Sequence, residues 1–551
     1  MRVAPLSPPR SQEFTPKLLT VLREGYGAAD LRADLVVGMT VAIVALPLSM
    51  AIAIASGVGP ERGLYTAIVG GFLVSALGGS RFQIGGPAGA FIVLVAGCVA
   101  ATGISGLILA TFLSGLMLVA VGAFRLGSYI KFIPYPVTVG FTAGIAVIIL
   151  ASQIGEGLGM TLAGEPAEIW PKLQALWAAR ATISPQAVAL AGGTVLVIWG
   201  VKRLRPGWPG MLLAVVAAAV ATAALGLPVE TIGSRFGALP RVLPAPALPE
   251  IGGAALLAAL PWAVSFTLLG AIESLLSAVV ADGMSGRQHR SNMELVAQGV
   301  ANMGSALFGG FCVTGTIART ATNVRAGSRG PVSGMLHALI LLGFMLVAAP
   351  LAGFVPLAAL AGVLAVVAWN MAEKEEFWGL LRSSSGDAAV VLVTFLLVVF
   401  RDLTEGIVVG FALSGLLFIH RMSTVARVES DEDGPALAGL GEDVAVYRIR
   451  GPFFFGAAAT AGSVLDRIAA RPRVFIVDFS EVPMLDSSGA RAIRMLARRM
   501  SRPGQTLYLT AVAPGIRHLL EGHGAGEEGV HLEFRDSVDV ALAEARGARG
   551  G

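Results

Sequence analysis

Long apolar runs separated by short polar turns fill the chain as far as about Val425. A helix that crosses a bilayer needs about 20 mainly apolar residues. Runs of that kind predict about 14 transmembrane helices, of which the third and the tenth are short and rich in Gly, Ala and Thr. The predicted ranges are approximately 35–56, 63–79, 87–101, 105–124, 132–152, 185–201, 208–227, 258–281, 295–311, 316–326, 332–350, 354–370, 387–400 and 405–420.

Lysine and arginine are distributed unevenly between alternate loops. With the N-terminus in the cytosol, about 19 of them fall on the cytosolic side and about six outside, which is the asymmetry that the positive-inside rule describes. We therefore expect a multi-pass protein of a bacterial inner membrane, surrounded by lipid, with both termini in the cytosol.

The apolar pattern also repeats within the chain. The first and eighth predicted helices begin about 226 residues apart, and the short third and tenth begin about 229 apart. Because seven crossings reverse the direction of the chain, the two halves would be inverted repeats. Paired short, Gly-interrupted segments at matching repeat positions indicate the binding site of a secondary transporter.

After the apolar region the composition becomes that of a soluble α/β domain. Strands are predicted at Val444–Arg450, Val474–Phe479 and Thr506–Ala511, with a helix at Ala490–Met500. The Asp486-Ser487-Ser488-Gly489 turn has two possible interpretations. Asp486 or a serine could cap the helix that follows, or Ser487 could have a signalling role. The predicted divisions are a cytosolic tail 1–34, a transmembrane domain 35–425, an acidic linker 426–441 and the α/β domain 442–547.

Composition and motifs exclude several classes of protein. Only 14% of residues are charged and the mean hydropathy is +0.75, whereas soluble domains carry about 25% charge. The sequence has no basic stripe with interleaved aromatics, no Walker A lysine, no zinc-protease motif and no nucleophile elbow. We expect neither an enzyme nor a nucleic-acid binder, with no cofactor, no metal and no disulfide between Cys98 and Cys312.

Two short segments carry the predicted anion site. A helix that begins inside the bilayer presents unpaired N–H groups and a positive dipole end to an anion. The third helix would open with Gly86, Pro87, Ala88 and Gly89, with Pro87 in its first turn. The tenth would open with Thr316, Ile317, Ala318 and Arg319. The alternative is that these small residues only allow close helix packing.

Two ionisable side chains lie deep in apolar runs, Glu273 and Arg319, and such residues are functional candidates by default. Arg319 would attract anions. Glu273 could carry a coupling proton, because apolar surroundings disfavour a charged carboxyl group, or it could hold Na⁺ together with Ser277. A structural Glu273–Arg319 ion pair is the alternative.

The first predicted helix contains Pro47, which could be a simple kink or could open the helix beside the pocket, with Leu48 and Ile52 as an apolar wall. His337 in the eleventh helix is interpreted as a packing residue rather than a proton relay.

Taken together, the stretch Gly78–Pro87, the run Glu273–Ala278 and the run Leu307–Thr320 resemble the sulfate permease (SulP) anion transporters, and the C-terminal domain resembles STAS domains. The resemblance implies a seven-plus-seven inverted repeat, a core domain that moves against a gate domain, and a homodimer. It implies anion contacts at Ala88 and Ala318 with Arg319 close by, a cation or proton site at Glu273, and phosphorylation of Ser487 in some STAS relatives, with a possible cytosolic partner for that domain.

This chain departs from the sulfate-type pattern, since many such relatives have Gln and Tyr where it has Leu48 and Ile52. Relatives that use Na⁺ have Asp at the position of Glu273. The sequence of these motifs more closely resembles that of the bacterial branch of dicarboxylate and bicarbonate carriers. We therefore expect proton-coupled symport of a C4-dicarboxylate, bicarbonate or sulfate, in that order; an uncoupled anion channel or exchanger and a membrane-tethered signalling protein are the alternatives.

Overall fold

The structure is a computed structural model that describes residues 13–130, 133–162, 166, 168–425, 427–430, 443–454, 473–500, 505–524 and 532–547. It divides into two compact units, Met1–Phe411 and Ala412–Gly551. Within the described residues, eight helices are long and apolar enough to cross a membrane, and Gly210–Leu225 and Ser385–Phe400 are shorter apolar helices. The predicted class, a helical membrane protein with a C-terminal α/β domain, is confirmed, whereas the count of 14 crossings stays a prediction.

Each predicted apolar run lies on helical structure in the first half of the chain. The helices there are α1 (Lys17–Arg23), α2 (Ala28–Ala55), α3 (Pro60–Tyr65), α4 (Gly71–Leu77), α5 (Ile92–Ala123), α6 (Gly127–Ile130), α7 (Tyr135–Ser152), α8 (Ile154–Leu158), α9 (Ile169–Ala178), α10 (Pro185–Leu204), α11 (Gly210–Leu225) and α12 (Ile232–Phe236). A π-helical stretch at Thr66–Gly70 joins α3 to α4.

The second half continues in the same way. Its helices are α13 (Gly253–Ser285), α14 (Ser291–Leu307), α15 (Ile317–Arg325), α16 (Val332–Ala352), α17 (Leu357–Met371), α18 (Lys374–Ser383), α19 (Ser385–Phe400) and α20 (Leu403–Val425).

Helix α5 combines the predicted third and fourth helices, and Gly103 breaks it between them. Gly103 has φ 70° and ψ −176°, a combination that is almost restricted to glycine. The chain can therefore end one helix and begin the next at a single residue.

The described part of the predicted N-terminal tail 1–34 contains helical structure. Helix α1 lies there, and α2 begins at Ala28. Arg290 Nη1 donates to the Thr15 carbonyl at 2.7 Å and to Thr20 Oγ1 at 2.9 Å, while Glu24 pairs with Arg81. This ion pair and these hydrogen bonds hold a seven-residue helix that is too short for the apolar-run criterion to detect.

Helices α2, α4, α5, α13, α14, α15 and α16 pack together as one layer, which we call the core layer. Helices α7, α8, α10, α11, α17 and α19 form a second group, the gate layer. Short amphipathic helices, α9 and α18, occupy corresponding places in the two halves, and their exposed Trp177 and Trp378 are suited to a membrane interface.

Within the core layer, α5 and α14 approach each other through glycine. A Cβ on Gly115 would lie 2.7 Å from the Gly299 carbonyl oxygen, and a Cβ on Gly299 would lie 2.5 Å from the Gly115 carbonyl oxygen. Small residues allow this backbone contact, as in other membrane helix pairs.

We expect Gly299→Ala to lower the midpoint of thermal unfolding in detergent by a few degrees, because overpacking against backbone costs about 1–3 kcal/mol. Gly283→Ala in α13 is the control, since its added Cβ would meet nothing within 4 Å, and its midpoint should stay the same or rise. Equal shifts for the two variants would contradict the close contact.

The described residues of the second unit form a five-stranded sheet. Its strands, in spatial as well as chain order, are β3 (Arg427–Ser430), β4 (Val444–Arg450), β5 (Val474–Glu481), β6 (Thr506–Thr510) and β7 (Leu532–Arg535), and only β3 is antiparallel to its neighbour. Helices α21 (Ser487–Arg499) and α22 (Pro514–Gly522) share one apolar cluster with the sheet, and α23 (Val538–Gly547) shares another.

The described residues of the predicted linker 426–441 belong to the sheet. Residues 427–430 form β3 and pair with Tyr447–Arg450, because this polar stretch adds its backbone to the sheet edge. Residues 431–440 lie outside the described residues.

Candidate functional site: two interrupted helices

The two short segments meet in the core layer. Strand β1 (Gly85–Gly86) pairs antiparallel with β2 (Thr314–Gly315), with Gly85 opposite Gly315 and Gly86 opposite Thr314. Gly85 and Thr314 are about 229 residues apart, the spacing of the sequence repeat, and so are Gly86 and Gly315. The repeat therefore relates Gly85 to Thr314 and Gly86 to Gly315, and it exchanges one strand with the other. This is expected for inverted repeats related by a two-fold axis between the strands.

A helix begins immediately after each strand. On one side, Ala88 is the extended N-cap of a 3₁₀ turn, Gly89–Phe91, that continues into α5. On the other, Thr316 is the extended N-cap of α15. No side chain accepts a hydrogen bond from the first turn of either helix, so both ends keep the open N–H groups that suit an anion.

Pro87 does not occupy the predicted first turn. It precedes the N-cap Ala88, in the extended segment after β1. The crossing with β2 keeps this segment extended, and helical geometry begins only at Gly89.

Arg319 joins the two segments. Its Nη2 donates to the Pro87 carbonyl, and a Cβ on Gly86 would overlap the guanidinium. The side chain is only 1% exposed, and its Nε and Nη1 have no hydrogen-bond partner among the described residues. Arg319 therefore lies behind the backbone of the first segment, where it places positive charge between the two helix ends and supports the Pro87 loop.

The accessible part of the site is backbone and small side chains. Gly89 and Ile317 are partly accessible and Ala318 is exposed. A Cβ on Gly89 would lie 3.2 Å from Ile149 Cδ1 and 4.0 Å from Met371 Sδ. The first helix end thus faces α7 and α17 of the gate layer, through two residues that the sequence did not single out.

The predicted apolar wall is buried beside this region. Leu48, Ile52 and Ala88 belong to one apolar cluster. Pro47 does not open the first helix, however, since α2 continues without a break from Ala28 to Ala55. A proline removes one backbone donor and can be tolerated where a helix is packed by its neighbours. His337 is fully buried in α16, beside Gly71.

Glu273 lies on α13 between two contacts that this helix makes with the second segment. The Gly270 carbonyl accepts a hydrogen bond from the Thr314 hydroxyl at 3.3 Å, and Ser277 Oγ donates to Thr320 Oγ1 at 3.1 Å. Residues three and four apart share a helix face, so Glu273 lies beside the start of α15. It is 6% exposed.

The alternative of a structural Glu273–Arg319 ion pair is wrong. The two side chains are not within ion-pair distance, and the hydrogen bond of Arg319 goes to the Pro87 carbonyl. Glu273 forms no hydrogen bond or ion pair with the described residues. A sodium site formed with Ser277 stays a prediction; no group of three or more His, Cys, Asp or Glu suited to a metal occurs among the described residues.

Sequence reasoning missed a polar stripe along α14 that supports both segments. Glu294 accepts a hydrogen bond from Ser80 N at 2.9 Å, ahead of β1. Further along the helix, Asn302 and Ser305 bond the backbone ahead of β2. The stripe comprises Glu294, Gln298, Asn302 and Ser305, all buried. Polar residues at spacings of three and four in an apolar run were the signal available in the sequence.

In the second unit, Asp486 is the N-cap of α21, and its Oδ1 accepts a hydrogen bond from Gly489 N at 2.8 Å. The predicted cap is therefore present, and Ser487 lies exposed in the first turn. Burial alone would raise the pKa of Asp478, but hydrogen bonds from Arg448 and Ser480 hold it below its usual value. A regulatory role of Ser487 stays a prediction.

Comparison with known proteins identifies the family. The model of the sulfate permease family matches residues 31–394, and that of the STAS domain matches residues 440–541. The putative sulfate transporter YvdB of Bacillus subtilis is 40% identical over 505 residues, covering 91% of this chain and 95% of that protein. The bicarbonate transporter BicA of Synechocystis is 31% identical over 520 residues, covering 89% of this chain and 90% of that protein.

Solved structures give the same architecture. The murine Slc26a9 anion transporter in its inward-facing state has a TM-score of 0.86 at 18% identity, covering 99% of this chain and 96% of that chain, which is a likeness of fold. The transmembrane domain of a cyanobacterial BicA has a TM-score of 0.60 at 30% identity, covering 71% of this chain and 98% of that chain. The chain therefore belongs to the sulfate permease family of anion transporters and carries a C-terminal STAS domain.

Proposed function

We propose that this protein is a secondary active transporter that takes up a small anion together with a proton, by alternating access, as a homodimer in a bacterial inner membrane. One observation carries the proposal: two uncapped helix ends cross inside the core layer, with Arg319 between them and Glu273 beside one of them. Helix ends and a buried guanidinium attract an anion, and a neighbouring carboxyl group can take up a proton when the anion binds.

The chemistry of the site favours a carboxylate-type anion. Among the described residues at the crossing, Arg319 is the one cationic side chain, and the buried neighbours Leu48, Ile52 and Ala88 are apolar. A C4-dicarboxylate has hydrocarbon between its carboxylates that such surroundings accept, and bicarbonate is a small planar anion with a single charge, whereas sulfate carries two charges and presents oxygens on every side. We therefore place dicarboxylate and bicarbonate ahead of sulfate.

The position of Glu273 supports proton coupling. An unpaired carboxylate in the membrane interior is strongly disfavoured, and Glu273 has no ion-pair partner among the described residues. A bound anion at the adjacent start of α15 would add repulsion, so that anion and proton bind more favourably together than separately. This is the linkage that symport requires.

The test is uptake of labelled fumarate, bicarbonate and sulfate by purified protein in liposomes. An inward proton gradient should drive accumulation of at least one anion, and a Na⁺ gradient alone should not. Accumulation with Na⁺ alone would overturn proton coupling, and no uptake of any of the three would overturn the proposed function.

Rapid anion flux that ignores both gradients would identify an uncoupled channel or exchanger. Full uptake after removal of residues 435–551 together with loss of a cytosolic partner would favour a membrane-tethered signalling protein. Neither alternative explains why a buried carboxyl group lies beside the crossing of the two segments.

A further inference from the structure

The segment that leads into β2 lacks a strand partner on its way to the crossing. Residues 311–313 have no regular secondary structure and are fully buried, and buried backbone groups must find hydrogen-bond partners. In this segment the partners are side chains of neighbouring helices rather than another strand.

Asn302 supplies two of these bonds to a single residue. Its Oδ1 accepts from Val313 N at 3.0 Å, and its Nδ2 donates to the Val313 carbonyl at 2.9 Å. A side-chain amide has both a donor and an acceptor, so Asn302 replaces the edge of a neighbouring strand. Nδ2 also donates to the Gln298 carbonyl at 2.8 Å, which fixes the amide against α14.

Two hydroxyl groups bond the backbone of Phe311, which lies two residues before Val313 on the same edge. Ser305 Oγ donates to the Phe311 carbonyl at 2.7 Å, and Phe311 N donates to Thr66 Oγ1 at 2.9 Å. Phe311 and Val313 are two residues apart, so their backbone N–H and C=O groups lie on the same edge of the segment. All four bonds are made at that edge. The residues that follow pair with β1 and then start α15.

We propose that Asn302 is a positioning residue for the anion site: by fixing Val313 it sets where β2 ends and therefore where the open N–H groups of α15 lie. It does not touch the site itself. The inference rests on the proposed anion site. Loss of the Asn302 side chain would displace that site without altering its charge.

The variant Asn302→Leu has a similar volume and removes both bonds to Val313. Hydrogen–deuterium exchange of amides 314–319 should then accelerate about tenfold or more without any anion present, because the segment loses its lateral bonds. Anion affinity, measured as the concentration that half-maximally protects the protein against thermal unfolding, should fall by about tenfold.

Ser305→Ala removes the bond to the Phe311 carbonyl and a longer one, 3.4 Å, to Thr66 Oγ1, with little change in volume. It should cause smaller changes of the same sign, which keeps the test valid if Asn302→Leu does not fold. Gly299→Ala is the matched control for lost stability, since Gly299 lies on the same helix and faces α5; it should unfold earlier and bind anion as the wild type does.

Unchanged exchange at 314–319 in both variants would overturn the inference. So would faster exchange with wild-type anion affinity, because the position of α15 would then not limit binding. A wild-type protein that binds no anion would instead remove the proposed function, whereas the exchange measurement would still decide whether Asn302 fixes the segment.

Discussion

Replacing Arg319 with methionine should reduce anion affinity and uptake by roughly tenfold to a hundredfold. The change removes the positive charge between the two helix ends and leaves the buried Pro87 carbonyl without its donor. A hydrogen bond to a charged group contributes about 1.5–3 kcal/mol. Equilibrium binding of labelled anion to purified protein, with uptake into liposomes, measures both effects.

Arg325→Met is the matched control, because Arg325 is exposed in the last turn of the same helix and its loss should leave affinity unchanged. Gly86→Ala tests the position of the guanidinium separately from its charge, since the added Cβ would overlap it. Wild-type affinity in Arg319→Met would show that the charge between the helix ends is dispensable.

Replacing Glu273 with glutamine should abolish accumulation driven by a proton gradient while exchange of anion across the membrane continues. Glutamine has the same shape as the carboxylic acid but carries no exchangeable charge at any physiological pH. The variant should therefore behave as a carrier whose proton site is permanently occupied. Counterflow of labelled anion at zero gradient, compared with gradient-driven uptake, separates the two activities.

The pH dependence of binding supplies a second readout of Glu273. In the wild type, proton and anion bind together, so anion affinity should fall as the pH rises, whereas in Glu273→Gln it should be flat. Glu405→Gln is the control, because Glu405 is exposed and pairs with Arg401 of the short turn between α19 and α20. Proton-driven accumulation that survives Glu273→Gln would move the coupling site elsewhere.

The length of the apolar runs was sufficient to predict a helical membrane protein. Runs of about 20 apolar residues have few alternatives to a transmembrane helix, and glycine-rich interruptions at a fixed spacing marked the two short segments. The position of Arg319 and Glu273 deep in apolar runs indicated their roles, and the resemblance to the family implied the same ones. The pairing of Gly85 with Gly315 brings together the two segments that carry the predicted anion site.

The side-chain contacts of the site were less predictable. Whether Arg319 would face Glu273 or the Pro87 carbonyl depends on the rotation of α15, which apolar patterning does not define. The polar stripe on α14 was overlooked because Asn302 and Ser305 could equally have faced a water-filled path. Helix α1 has only seven residues and strand β3 only four, so tertiary contacts rather than a long apolar run place them.

Density for the transported anion in a cryo-EM map of the purified protein would show where it binds. The anion should lie within hydrogen-bonding distance, about 3 Å, of backbone N–H groups at residues 89–90 and 317–319, on the side that faces Ile149 and Met371. Anion density away from these helix ends, in a map where residues 85–86 and 314–315 remain paired, would contradict an anion site built from the two interrupted helices.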